Sequence, residues 1–431
     1  EYGGGERKGG VPYRWKLVAM MALAFVLANM DKVNMSVAVI PIAKELGWTA
    51  TDRGLVSSAF FWGYALTQIP AGIIATRLGG SSVLLVGVFL WSLGTFLGPQ
   101  AAVAGLPLLC FSRFLVGLAE GFAPSSVTNV LSRVVPANER ARAVAVVWGG
   151  MDLGSAVGLL LCGPLIALLG WHSVFYLFGF VGFLWCAAWP RFARRAVPLE
   201  GGAGEEEQVA SEKETEEVPW GKVLRSVPVW AVTVAHFCYN WGYYTLLAWL
   251  PSYFEMSLGI DVAKSSFLTL IPYLAMTCMT PIVGPSADRL VDAGWSTTHI
   301  RKLFQGIAFV GAAVALAAAA FFTPATPAAA TALSQPILVG LVTLTFLCQS
   351  FSRAGLYCNH QDLSPKFSGA LLGLSNTAGA LPGVIGVSLV GKLLDLTGSW
   401  STALFMPAVA MQIVGLVVYS VFGSSRRRTW G

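Results

Sequence analysis

The chain is short of charge. Asp, Glu, Lys and Arg make up 12% of its 431 residues, about half the share of an ordinary soluble domain. Hydrophobic residues make up 55%, which excludes a soluble globular fold and indicates a polytopic membrane protein. No segment alternates with period two, so a β-barrel is excluded. The seven cysteines include no CxxC spacing and fall within or at the ends of apolar segments. They read as small buried hydrophobes, with no structural disulfide and no metal site expected. No phosphate-cradling glycine loop, nucleophile triad or metal cluster appears, so neither an enzyme nor an ATP-driven pump is expected. A channel would need a repeated pore motif, and none is present. His172 and His299 lie in loops and receive no role. The first ten residues are Gly-rich and polar, without the apolar core of a signal peptide. A processed precursor and a trimmed chain would both begin this way. The net charge of +6 does not point to nucleic acid, because its Lys and Arg gather on one side of a membrane.

Twelve apolar segments of spanning length are present, and the fold expected is all-α. The longest polar interruption, from Arg191 to about Arg225, contains the acidic run GGAGEEEQVASEKETEE. That composition reads as a solvated linker, and it divides the segments six and six. An N-terminal six-helix bundle over 1–190, a linker over 191–226 and a C-terminal six-helix bundle over 227–431 follow. Internal echoes support two parallel halves. Arg77 follows Gly72 as Arg289 follows Gly284, and Pro136 precedes Gly150 and Gly154 as Pro365 precedes Gly379 and Gly383. Basic residues such as Arg77, Arg140, Arg142, Arg289, Arg301 and the Arg426–Arg428 tail fall on one side. Both termini and the linker therefore face the cytoplasm-equivalent side.

Charges inside apolar segments are the chemistry-bearing feature. Arg113 and Glu120 interrupt LPLLCFSRFLVGLAEGFAPSSVTNVL, and Asp31 and Lys32 interrupt the first segment. Each such charge costs roughly 2.5–3.5 kcal/mol on insertion scales, so those that persist face a polar cavity. Seven residues at ~100° each place Arg113 and Glu120 on one helix face. Two cations and two acids at membrane depth suggest an anion site coupled to a cation. Arg113 offers several donors at any pH, and Lys32 would face the same cavity. Their alternative is fixed ion pairing with Glu120 or Asp31. The two carboxylates are coupling candidates, because an arriving anion shifts the balance that sets their protonation. They could instead help to hold Na⁺, or simply compensate the cations. Tyr239 and Asn240, with His236 beside them, and Asn376 either line a cavity or join helices. His360 and Gln361 read as a loop network. A non-transporting receptor on the same fold is disfavoured, since its intramembrane charges would serve no purpose.

Several runs carry a resemblance: NMDKVNMSVAVIPIAKELGW, SSAFFWGYALTQIPAG, RFLVGLAEGFAP, VPANERARA, HFCYNWGYYTLLAWLPSYF and GLYCNHQDLSPKFSGALLGLSNTAG. They are similar to the anion:cation symporters of the major facilitator superfamily, which include vesicular glutamate transporters and sialin. The nearest resemblance is to the plant plastid and Golgi phosphate transporters of that group. The resemblance implies twelve transmembrane helices in two six-helix bundles, rocking about a central site. It implies carriage of a small anion by symport, with inorganic phosphate leading and ascorbate or glutamate second. Na⁺ or H⁺ would be co-transported, with no other cofactor, by a monomer in the lipid bilayer. A plastid envelope or thylakoid membrane is favoured over the Golgi or plasma membrane. Arg113 matches a substrate contact of the family, and Tyr64 would face the cavity in family-like packing. Asp288 and Arg289 belong to the repeated cytoplasmic GxxADR-type motif. Its first copy keeps Arg77 but has Thr76 where an acid is expected. Three departures stand out: Lys32 where the family usually has Arg, an acid at Asp152, and a cation at Arg353.

Overall fold

The computed structural model describes residues 12–68, 70–193 and 218–429, which are helical with no strand among them. The N-terminal half holds α1 (Tyr13–Leu46), α2 (Ala50–Thr67), α3 (Pro70–Leu78), α4 (Gly80–Phe96), α5 (Gly98–Ala104), α6 (Leu106–Glu120), α7 (Ala123–Val134), α8 (Ala137–Leu169) and α9 (His172–Ala193). After the short α10 (Trp220–Val223), the C-terminal half holds α11 (Val227–Leu258), α12 (Val262–Asp292), α13 (Thr297–Phe322), α14 (Ser334–Gln349), α15 (Asn359–Leu363), α16 (Ser368–Thr397) and α17 (Met406–Phe422). π-helical turns at Arg353–Tyr357 and Ser401–Phe405 lead into α15 and α17. The last helix of the first half continues to Ala193, three residues past the boundary expected at 190. The acidic run lies outside the described residues.

The twelve apolar segments fall on α1, α2–α3, α4, α6–α7, α8, α9, α11, α12, α13, α14–α15, α16 and α17. Among the described residues, nine stretches are long and apolar enough to cross a membrane. The number is ten if α3 and α4, which meet at 119°, are taken together. At 32 residues α11 has the length, but its polar and aromatic side chains lower its hydropathy. Those same side chains make it a core helix, buried along most of its course.

Local chemistry sets the ends. Thr49 and Asp52 close a capping box at the start of α2, each side chain accepting from the other's backbone N–H. Gly47 after α1 and Gly259 after α11 take left-handed φ values of 68° and 64°, which stop both helices at equivalent places in the two halves. Arg14 and Trp15 both donate to Glu139, joining the starts of α1 and α8. The Arg14 hydrogen bonds hold that surface carboxyl below its ordinary range.

Small residues let the spans approach. A methyl group at Gly117 of α6 would strike the Phe60 carbonyl of α2, and one at Gly63 would strike the Phe114 carbonyl. Gly150 and Gly154 of α8 meet Ala22 and Val26 of α1, while Gly379 of α16 meets His236 and Asn240 of α11. Gly150 and its echo Gly379 therefore do the same work in each half, whereas Gly383, the echo of Gly154, faces the Phe61 ring of α2 in the other half. The helix pairing repeats too: α1 with α8 as α11 with α16, α4 with α6 as α13 with α14, and α4 with α9 as α13 with α17.

The halves meet through α2 with α16, α8 with α12 and α1 with α11. Lys44 pairs with Glu255. Asp395 accepts from the Ala50 and Thr51 N–H groups at 3.0 and 2.7 Å. Ser266 donates to Leu159 O at 2.6 Å. All of these lie on the far side, opposite the basic loops. Among the described hydrogen bonds and ion pairs that join the halves, Asp152–Arg353 alone lies toward the linker side. The described polar contacts that join the halves are thus concentrated on the far side.

Candidate functional site

The first segment brings Asp31 and Lys32 to the middle of α1, and α6 brings Arg113 and Glu120 to meet them. Asp31, Arg113 and Glu120 are each 3% exposed or less. Lys32 Nζ lies 3.4 Å from Glu120 Oε2. Sequence spacing had put Glu120 with Arg113. The structure pairs it across helices, because seven residues along one helix rise roughly 10 Å, too far for contact. Asp31 accepts a 2.9 Å hydrogen bond from Thr95 Oγ1 of α4. The Lys32 ammonium lies 5.1 Å from the Tyr64 ring centre and 5.6 Å from that of Phe60. Arg113 lies 5.5 Å from the same Phe60 ring. These cation–π contacts hold both cations against α2.

The satisfaction of these groups is incomplete. Arg113 Nε and Nη1, Asp31 Oδ1 and Glu120 Oε1 are buried without hydrogen-bond partners, and Glu120 Oε2 has only its 3.4 Å ion pair with Lys32. Asn34, one turn beyond Asp31, also has both amide atoms buried and unpartnered. An unpaired buried polar group costs about 1–3 kcal/mol. Such a concentration marks a place built for visitors. The guanidinium donors suit an oxyanion, and the spare carboxylate oxygens suit a proton or Na⁺. A small cavity adjoins them, lined by Lys32, Arg113, Ser57 and Phe60 from the first half and by Leu247 and Ala248 from the second. Its volume of about 20 Å³ holds a water-sized body and little more. The four charges sum to zero, so an anion entering alone would leave net negative charge in a low-dielectric setting.

The remaining sequence candidates are dispersed. Tyr64 belongs to the cluster through Lys32. Asn240 instead donates to Gly379 O at 2.8 Å and ties α11 to α16. Tyr239 is buried against Tyr357, ring centres 6.0 Å apart, and Asn376 is half-buried on α16. His236 bridges Ser375 Oγ at 3.2 Å and Tyr357 Oη at 3.3 Å. His360 reaches the same Ser375 at 2.7 Å, and Asp362 is bound by Arg301 at 2.7 Å. These contacts tie α15 and the turn before it to α11, α13 and α16. Arg77, Asp288 and Arg289 are exposed at the linker-side ends of α3 and α12. None of the three makes an ion pair among the described residues. Thr95 and Phe60 were missed from sequence. Phe60 carried a usable signal, lying four residues before Tyr64 and so on the same face of α2. Among the described residues no group of three or more His, Cys, Asp or Glu is placed to hold a metal ion.

Two repeated helical halves around a buried, charge-lined cavity define a secondary transporter rather than an enzyme. The sequence agrees: it matches the Major Facilitator Superfamily over residues 20–387. The chain belongs to that superfamily, among relatives that are plant anion transporters. It is 41% identical to the Arabidopsis thaliana protein named "Sodium-dependent phosphate transport protein 1, chloroplastic", over 96% of this chain and 80% of that protein. It is also 41% identical to "Ascorbate transporter, chloroplastic" of Arabidopsis thaliana, over 96% of this chain and 76% of that protein. Among solved structures, a D-xylose-proton symporter superposes with a TM-score of 0.74 at 14% identity, covering 96% of this chain and 99% of the other. That likeness concerns the fold alone.

Proposed function

We propose that the chain is a secondary active transporter of a small anion, with inorganic phosphate as the leading substrate and Na⁺ or H⁺ co-transported. The observation that carries this reading is Arg113: fully buried, bordering the cavity between the halves, with two donors unpartnered. An oxyanion satisfies those donors. Lys32 supplies the second positive charge, and the two cations compensate most of a phosphate's charge of about −1 to −2. The compact ammonium suits a small tetrahedral ion as well as a planar one.

Coupling follows from charge balance. Lys32, Arg113, Asp31 and Glu120 are neutral as a set, so the anion enters with lower energy when a proton or Na⁺ accompanies it. Glu120 and Asp31 are the acceptors for that cation. Glu120 has the closer tie to substrate, because its partner Lys32 is the group the anion competes for. Rocking of the halves about the far-side clasp would then expose the site alternately. The relatives' names support a plastid membrane, and a monomer contains every residue this scheme uses.

A second reading, an organic anion, is supported by the ascorbate transporter among the relatives. The two separate by competition in proteoliposomes, with unlabelled phosphate, glutamate and ascorbate set against labelled phosphate. Saturable uptake blocked best by phosphate is expected. Absent phosphate uptake alongside robust ascorbate or glutamate uptake would overturn the choice of substrate.

A further inference from the structure

The pair Asp152–Arg353 is unused by the scheme above, and it is looser than the other arginine–carboxylate pairs among the described residues. Arg301 holds Asp362 through Nε at 2.7 Å and Nη2 at 3.4 Å, and also donates to Ala354 O at 2.9 Å. Arg14 grips Glu139 at 2.8 and 2.9 Å. Those are forked, saturated contacts. Arg353 meets Asp152 through Nη2 alone, at 3.5 Å, and neither side chain is sealed: 39% of the Arg and 26% of the Asp is exposed. Most of the guanidinium's five donors are left over.

Its setting is also distinctive. Arg353 opens the π-helical turn Arg353–Tyr357, a local geometry frequent at functional sites. Asp152 stands on α8 in the first half and Arg353 in the second, so the pair bridges the two halves. Gly150 and Gly154 of α8 pack on Ala22 and Val26 of α1, which sets Asp152 level with about residue 24. Lys32 is eight residues further along α1, or roughly 12 Å toward the far side. Arg353 therefore stands one layer nearer the linker side than the central cluster. Tyr239, Tyr243 and Tyr357 are near enough to interact with it electrostatically.

We propose that Arg353 is a second anion station on the linker-side path, with Asp152 as the resident counter-charge that an arriving substrate anion displaces. The proposal deepens the anion-transport reading and rests on it. A loose single contact is what displacement requires, since a forked pair would outcompete a small anion. The class of ligand is a small phosphate or carboxylate oxyanion. The station would hand the anion on to Lys32 and Arg113.

The competing explanation is a mechanical latch between the halves, and the two differ in sign. For a station, Arg353→Gln removes the ligand and raises the KM for labelled phosphate in proteoliposomes by about tenfold or more. Asp152→Asn removes the competitor and lowers KM. Arg353→Lys, which keeps the charge, loses less than Arg353→Gln. The exchange Asp152→Arg with Arg353→Asp does not recover wild-type KM, because the cation moves to the wrong half. For a latch, both single substitutions shift KM the same way and the exchange restores it, which would overturn the proposal. Monodisperse elution and an unchanged Tm confirm folding in each case. Wild-type protein that takes up neither phosphate nor ascorbate nor glutamate contradicts the transport reading itself. Wild-type uptake with an unaltered KM in Arg353→Gln contradicts the station alone.

Discussion

Replacing Glu120 by Gln should separate anion binding from cation coupling. In the native cluster two cations face two carboxylates, and Glu120 lies 3.4 Å from Lys32. Glutamine keeps the shape and removes one negative charge, so the empty site carries a net +1. A substrate anion then neutralises the site unaided. At an effective dielectric of about 20 and roughly 6 Å, one removed like charge is worth about 3 kcal/mol to the anion, about a hundredfold in affinity. The empty protein should lose stability in return. Breaking a buried pair costs about 3–5 kcal/mol, softened here by the Phe60 and Tyr64 rings that also hold Lys32. Phosphate should restore much of that loss, seen as a ligand-dependent rise in Tm larger than in the wild type. In proteoliposomes, counterflow exchange of labelled phosphate should persist while accumulation driven by a cation gradient disappears. Equal loss of both activities in a folded protein would make Glu120 a structural charge. Retained gradient-driven accumulation would remove it from the coupling step altogether.

Three further outcomes follow from the same geometry. Arg113→Ala removes the cavity's principal oxyanion donor and should abolish saturable uptake in a protein that still elutes as one species; wild-type transport would leave Arg113 a structural role only. Asp395→Ala deletes the acceptor for two N–H groups at the start of α2, about 1–2 kcal/mol of far-side closure. In a Cys-free background, Ser57→Cys should then react several-fold faster with an impermeant thiol reagent applied from that side, and an unchanged rate would mean that Asp395 does not clasp the halves. Gly117→Ala drives a methyl into the Phe60 carbonyl and should destabilise the α2–α6 contact by about 1–3 kcal/mol; a Tm equal to that of the wild type would show that the helices have room to part.

The central charges were legible because composition isolates them: Asp31, Lys32, Arg113 and Glu120 break apolar runs that tolerate few charges. Their partners were less so. Helical periodicity puts Arg113 and Glu120 on one face, yet says nothing of the residue that another helix presents to that face, and Lys32 proved nearer. Thr95 and Phe60 reach the cluster only through the packing of α4 and α2, which no local pattern encodes. Asn240 illustrates the converse. A polar residue in an apolar segment signals burial with a partner, but whether that partner is a ligand or the Gly379 carbonyl is decided by α16, 139 residues away. The repeat was readable at one glycine pair, Gly150 and Gly379, where close helix approach constrains residue size directly. Asp152 and Arg353 were each visible as departures, but their pairing across the halves was not.

The most direct measurement is accumulation of labelled phosphate in proteoliposomes under an imposed cation gradient. Na⁺ is replaced by choline at constant pH in one arm, and the proton gradient is collapsed in another. The account predicts saturable phosphate entry beyond the external concentration, lost in one of the two arms and regained when that gradient is restored. Phosphate that only equilibrates, or that accumulates with both gradients absent, would contradict coupling through the buried charge cluster.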